Sequence, residues 1–88
     1  MENKNSEILN SIITLYGDED ILKATGLDKA VIGIDHNTIR LIYSYKKIIQ
    51  ILMEDDMTRE EAEEWFSYNI QSAWFGEKTP IYCMDEFE

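Results

Sequence analysis

Two β-branched runs, Ala30-Val-Ile-Gly-Ile-Asp and Thr38-Ile-Arg-Leu-Ile-Tyr, are separated only by His36-Asn37. Such a pair predicts a β-hairpin, and Asn37 tolerates the positive φ that its turn needs. With a hairpin at its centre, a chain of 88 residues has room for one core and no second. The flanking segments must therefore cover that hairpin. An apolar fraction of 44% makes a folded globule the expectation rather than disorder.

Upstream, Ile8, Leu9, Ile12, Ile13, Leu15 and Tyr16 recur at helical spacing, so residues 6–16 read as an amphipathic helix. Ser6 would be its N-cap and Gly17 its left-handed stop. Asp18 can cap a short second helix, Glu19 to Thr25, which Gly26 ends. Downstream, Ser44 caps a helix to about Asp55, with Tyr45, Ile48, Ile49 and Leu52 on one face. Thr58 and Glu61 form the capping box of a further helix, expected through about Phe75 with Gly76 as its stop. Its apolar stripe is Ala62, Trp65, Phe66, Ile70 and Ala73, with Asn69 near the centre. Thr79-Pro-Ile-Tyr-Cys-Met predicts a last strand, at a sheet edge because Pro80 lacks an N–H. The sum is one α+β domain over 1–88: a helical segment at 1–29, then hairpin, two helices and last strand at 30–84. Three to four helices are expected on one face of the sheet.

The charge is uneven. Eighteen acids against eight bases give −10 overall. Residues 1–50 hold seven acids and six bases, whereas residues 51–88 hold eleven acids and two bases, Arg59 and Lys78. This excludes a generic nucleic-acid binder, which carries a basic face, and disfavours adhesion to anionic lipid. No apolar run approaches the ~18 residues of a membrane span. The opening residues lack a secretory layout, and the one cysteine, Cys83, cannot pair internally, so the cytoplasm is the expected compartment.

Catalytic signals are sparse. The four glycines are too scattered for a phosphate loop. Cys83 and His36 would form a nucleophile–base pair only if the last strand passed beside the turn; a buried thiol and a solvated imidazole are the simpler reading. Asp18-Glu19-Asp20 and Glu54-Asp55-Asp56 lack the alternating layout of a calcium loop, and the acidic helix has no Glu-x-x-His for a di-metal bundle. The expectation is a protein that is not an enzyme, with no catalytic residue, metal or cofactor.

The acidic run rises above composition. Glu60, Glu61, Glu63 and Glu64 open a helix, where its dipole favours the first two. Glu54, Asp55 and Asp56 close the preceding helix, where each acid is disfavoured by roughly 0.3–1 kcal/mol. Seven acids over eleven helical residues would place about one per 2.3 Å, comparable to the one per about 1.7 Å of duplex DNA. A solubility face is the plain reading; a surface that attracts a basic groove is the sharper one. Tyr68, Trp74 and Phe75, projecting from the polar side or its flanks, would anchor such a partner unless residues 79–84 cover them.

The run Glu60-Glu-Ala-Glu-Glu-Trp-Phe-Ser-Tyr-Asn-Ile-Gln-Ser-Ala-Trp-Phe-Gly-Glu-Lys-Thr-Pro-Ile resembles small uncharacterised proteins encoded by bacteriophages and prophages. Their motif runs E-E-A-x-x-[YW]-F-x-[YF]-N-I-x-x-A-[YW]-x-G-E-x-T-P-I. The resemblance extends upstream through Ala30-Val-Ile-Gly-Ile-Asp and Arg40-Leu-Ile-Tyr-Ser, covering about residues 30–82. It brings no catalytic residue with it, and it implies a phage setting. Together these observations lead to the expectation of an anti-CRISPR-like inhibitor that mimics DNA and binds a host nucleic-acid-binding protein or defence complex. Glu54, Asp55, Asp56, Glu60, Glu61, Glu63, Glu64, Tyr68, Trp74 and Phe75 would form the surface, with no direct contact to nucleic acid or membrane. The alternative is a homodimer or larger virion-associated module paired through Trp74, Phe75 and a strand edge. A small-ligand protein, with Asn69 beside Trp65 as its site, ranks third.

Overall fold

The computed structural model describes residues 4–17, 21–24, 26–71 and 76–87. The fold is α+β, with three helices packed against a three-stranded mixed sheet. Helix α1 (Lys4–Tyr16) leads through a 3-10 turn (Asp28–Ala30) into strands β1 (Val31–Ile34) and β2 (Leu41–Ser44). Helices α2 (Tyr45–Glu54) and α3 (Arg59–Phe66) follow, then a π turn (Ser67–Gln71) and strand β3 (Ile81–Cys83). β2 is central, antiparallel to β1 and parallel to β3. A parallel neighbour needs a long crossover, which α2 and α3 supply. The expected last strand therefore lies at a sheet edge, with Pro80 just ahead of it.

The hairpin forms, but its loop is longer than the sequence predicts. Asp35 ends β1 by turning its carboxylate back on Thr38, taking the backbone N–H at 2.8 Å and the hydroxyl at 2.7 Å. These Thr38 bonds hold the Asp35 carboxyl below its usual range. Closure comes from Asp35 N–H to Arg40 C=O at 2.8 Å, leaving residues 36–39 as the loop. The positive φ falls on Ile39 at 56°, not on Asn37.

Other expectations also shift. The helix expected at Glu19–Thr25 is absent over its described part, Ile21–Ala24. The Ala24 N–H is diverted out of helical pairing to the Tyr43 hydroxyl, 2.8 Å away. Ser6 lies within α1 rather than capping it. Gly17 follows that helix as predicted, but not through a left-handed φ; a Cβ there would sit 2.8 Å from Ile13 C=O.

The core forms where α1, α2 and α3 meet the sheet: Leu9 and Ile12 from α1, Val31, Leu41 and Tyr43 from the strands, Ile48, Ile49 and Leu52 from α2, and Ala62 and Phe66 from α3. Each such large side chain contributes roughly 1.5–3 kcal/mol by leaving water. Phe66 is the hub, edge-on to Tyr45 at 5.0 Å and to Tyr82 at 5.6 Å.

Both caps predicted downstream form. Ser44 accepts from Lys47 N–H at 3.1 Å to start α2. Thr58 and Glu61 exchange bonds of 3.1 and 2.9 Å to start α3. The helix expected through Phe75 instead widens into a π turn after Phe66. That wider turn takes an extra residue and slips the apolar stripe. Ile70 stays buried, while Asn69 is exposed rather than central to the core, its amide donating to Trp65 C=O at 3.1 Å. Among the described residues, no helix is long and apolar enough to cross a membrane.

Candidate interaction surface

The acids of 54–64 divide between two places. Glu54 and Asp55 flank one depression of about 400 Å³ together with Gly26, Asp28, Lys29 and Ile51. Asp55 is the C-cap of α2, and Asp56 makes the exit turn with φ 72°. Aspartate tolerates that left-handed geometry better than most residues. Among the described residues, the last turn of α2 has no basic side chain to offset these three exposed acids.

Glu60, Glu61, Glu63 and Glu64 instead gather on α3. With Thr58, Ser67 and Tyr68 they line a shallow depression of about 730 Å³. A neighbouring groove of about 390 Å³ adds Met57, Trp65 and Asn69, sharing Glu61, Glu64 and Tyr68. Tyr68, carried out by the π turn, is 81% exposed and the most prominent ring on this face among the described residues. Trp74 and Phe75 lie outside the described residues.

The four glutamates are not equivalent. Glu61 is committed to the capping box. Glu63 pairs with Arg59 at 2.8 Å, and Arg59 also pairs with Glu86. Hydrogen bonds to Glu86 first and Glu63 second push the Arg59 guanidinium above its ordinary value. Among the described residues, Glu60 and Glu64 have no ion-pair partner. The clamp by Arg59 and Glu86 is not legible in the sequence, because Glu86 lies 27 positions away and no local spacing links them.

The C-terminal segment reaches α2 in the same manner. Asp85 accepts from the Ser44 hydroxyl at 2.6 Å and from Lys46 N–H at 3.0 Å. Partial burial pushes the Asp85 carboxyl up, but these bonds, its own backbone N–H and the charge of Lys46 together hold it below its usual range. Among the described residues, no group of three or more His, Cys, Asp or Glu side chains is arranged to hold a metal ion. No protein-family model, curated protein or solved structure matches this chain.

Proposed function

We propose that this chain is a non-enzymatic, phage-encoded interaction protein that works in the host cytoplasm. Its acidic α3 surface engages the basic groove of a host nucleic-acid-binding protein or defence complex and blocks it. The observation that carries this reading is the gathering of four glutamates and the exposed Tyr68 around one depression. Negative potential of that kind draws a basic groove at long range, and the ring supplies the apolar contact that fixes a complex.

The test is capture of a host protein at low salt, followed by competition. The partner is released by added duplex DNA, by raised salt, and by the paired substitutions Glu60→Gln and Glu64→Gln. Binding that survives all three removes the mechanism. The position of β3 at the sheet edge favours one second reading, a homodimer or virion-associated module joined through that edge with Trp74 and Phe75. Light scattering separates the two, since the first requires a monomer without its partner.

A further inference from the structure

A second concavity has a different chemistry from the acidic surface. It measures about 510 Å³ and lies between β3, the start of α2 and the end of α3, lined by Arg40, Tyr45, Phe66, Pro80, Tyr82 and Met84 among others. That volume falls within the roughly 300–1,000 Å³ of small-molecule pockets. Its walls are aromatic and fixed against one another, since Phe66 stands perpendicular to both Tyr45 and Tyr82. Rings so held present edges and faces on which another ring gains contact without the wall reorganising.

The polar content is one cation and two phenols. Arg40 donates from Nε to Thr79 C=O at 2.5 Å, which fixes the plane of its guanidinium. Of the five N–H donors of arginine, the four on its terminal nitrogens remain. Among the described residues no carboxylate lies within ion-pairing distance of Arg40; Asp35 attracts it from farther off, with its own carboxylate bonded to Thr38. No hydrogen-bond partner for the hydroxyls of Tyr45 or Tyr82 occurs among the described residues either. A guanidinium with its end free is matched by a carboxylate, which accepts two parallel bonds. Lys78, whose ammonium donates to Thr38 C=O at 3.0 Å, does not line the pocket, so Arg40 is the one cation in its wall among the described residues. One cation in a chain of net charge −10 suits a monoanion and not a phosphate dianion.

We propose that this pocket binds a small aromatic carboxylate: the acid group on Arg40, the ring laid against the wall that Tyr45, Phe66 and Tyr82 form. The site is independent of the acidic α3 surface and stands or falls without it.

The test is an NMR titration of the whole chain, labelled with nitrogen-15, using 3-phenylpropionate and its uncharged amide in parallel. The acid shifts the backbone signals of Tyr45, Ile81 and Tyr82 saturably, and the amide binds about ten- to a hundredfold more weakly, as loss of a charged hydrogen bond requires. Arg40→Gln abolishes the difference between acid and amide. Equal binding of the two by the unaltered chain overturns the proposal, and so does a response centred elsewhere or no saturable response. The acid–amide comparison needs no variant, so a folding defect in Arg40→Gln does not touch it.

Discussion

Ser44→Ala is the substitution that reaches furthest into this fold for the loss of a single oxygen. Ser44 is fully buried at the joint between β2 and α2. Its hydroxyl oxygen accepts from Lys47 N–H at 3.1 Å while donating to Asp85 at 2.6 Å. Removing a serine N-cap costs about 0.5–2 kcal/mol. A hydrogen bond to a charged group adds about 1.5–3 kcal/mol, and the low end applies because Asp85 keeps its bond from Lys46. The total is about 2–3 kcal/mol, a large share of the roughly 4–13 kcal/mol expected for a domain of this size. At about 4–8 °C per kcal/mol the midpoint of thermal unfolding falls by about 10–20 °C. Urea unfolding followed by tryptophan fluorescence registers the same loss as a midpoint lower by about 1 M or more. A cycle with Asp85→Ala, which removes the acceptor, isolates the contact, with a coupling of about 1 kcal/mol expected. The sign with pH follows from Asp85, whose folded carboxyl lies below the ordinary 3.8. Its contribution is present above that value and is lost as pH falls through the folded value. A loss under about 0.5 kcal/mol for Ser44→Ala, or additivity within about 0.3–0.5 kcal/mol, refutes the reasoning.

Burial pushes the Tyr43 phenol from 10.0 up to about 12, opposed by its bond to Ala24 N–H. The unfolded chain ionises first, so stability is fully present below pH 10 and is lost as pH rises toward 12; Tyr43→Phe flattens this alkaline limb in melts scanned against pH. The same substitution strands the Ala24 N–H and lowers stability at neutral pH by about 1–3 kcal/mol, measured by urea unfolding. Ile39→Asn changes stability by less than about 1 kcal/mol despite trimming a half-buried side chain, because relief of a left-handed β-branched residue returns about 1–2 kcal/mol. Replacing Glu60 and Glu64 together by Gln leaves the free energy of urea unfolding within about 0.5 kcal/mol of the parent, whereas Glu61→Gln weakens the capping box and costs about 0.5–1 kcal/mol.

The parts of the fold written locally are legible in the sequence. Ser44, Thr58 and Glu61 mark two helix starts because a cap is a contact within three residues. The strands follow from β-branched runs, and the edge position of β3 from Pro80. What escapes a sequence reading depends on distant partners. The helix expected at 19–25 fails over Ile21–Ala24 because Tyr43, 19 positions beyond Ala24, takes the Ala24 N–H. The π turn is invisible to a pattern read at constant helical period, and the placement of Asn69 is lost with it. Arg40 reads only as a strand residue, since nothing nearby in sequence marks Tyr45, Phe66 and Tyr82 as its neighbours.

The acidic run mixes two kinds of carboxylate that composition cannot tell apart. Glu61 and Glu63 serve the fold, one by capping α3 and the other by sharing Arg59 with Glu86. Glu61 accepts the Thr58 N–H, and Glu63 shares the single charge of Arg59 with Glu86. Glu54 and Asp55 sit on a separate depression lined by both Lys29 and Asp28. Glu60 and Glu64 have neither role among the described residues, and both line the depression that holds Tyr68. On α3, the carboxylates left without a structural role are therefore those two, while the acids at the end of α2 form a separate group. This narrows the likeness to duplex DNA from an even track of charge to a short patch beside a ring. For the inhibitor proposed above, a patch of that size would engage part of a basic groove rather than fill a whole nucleic-acid channel.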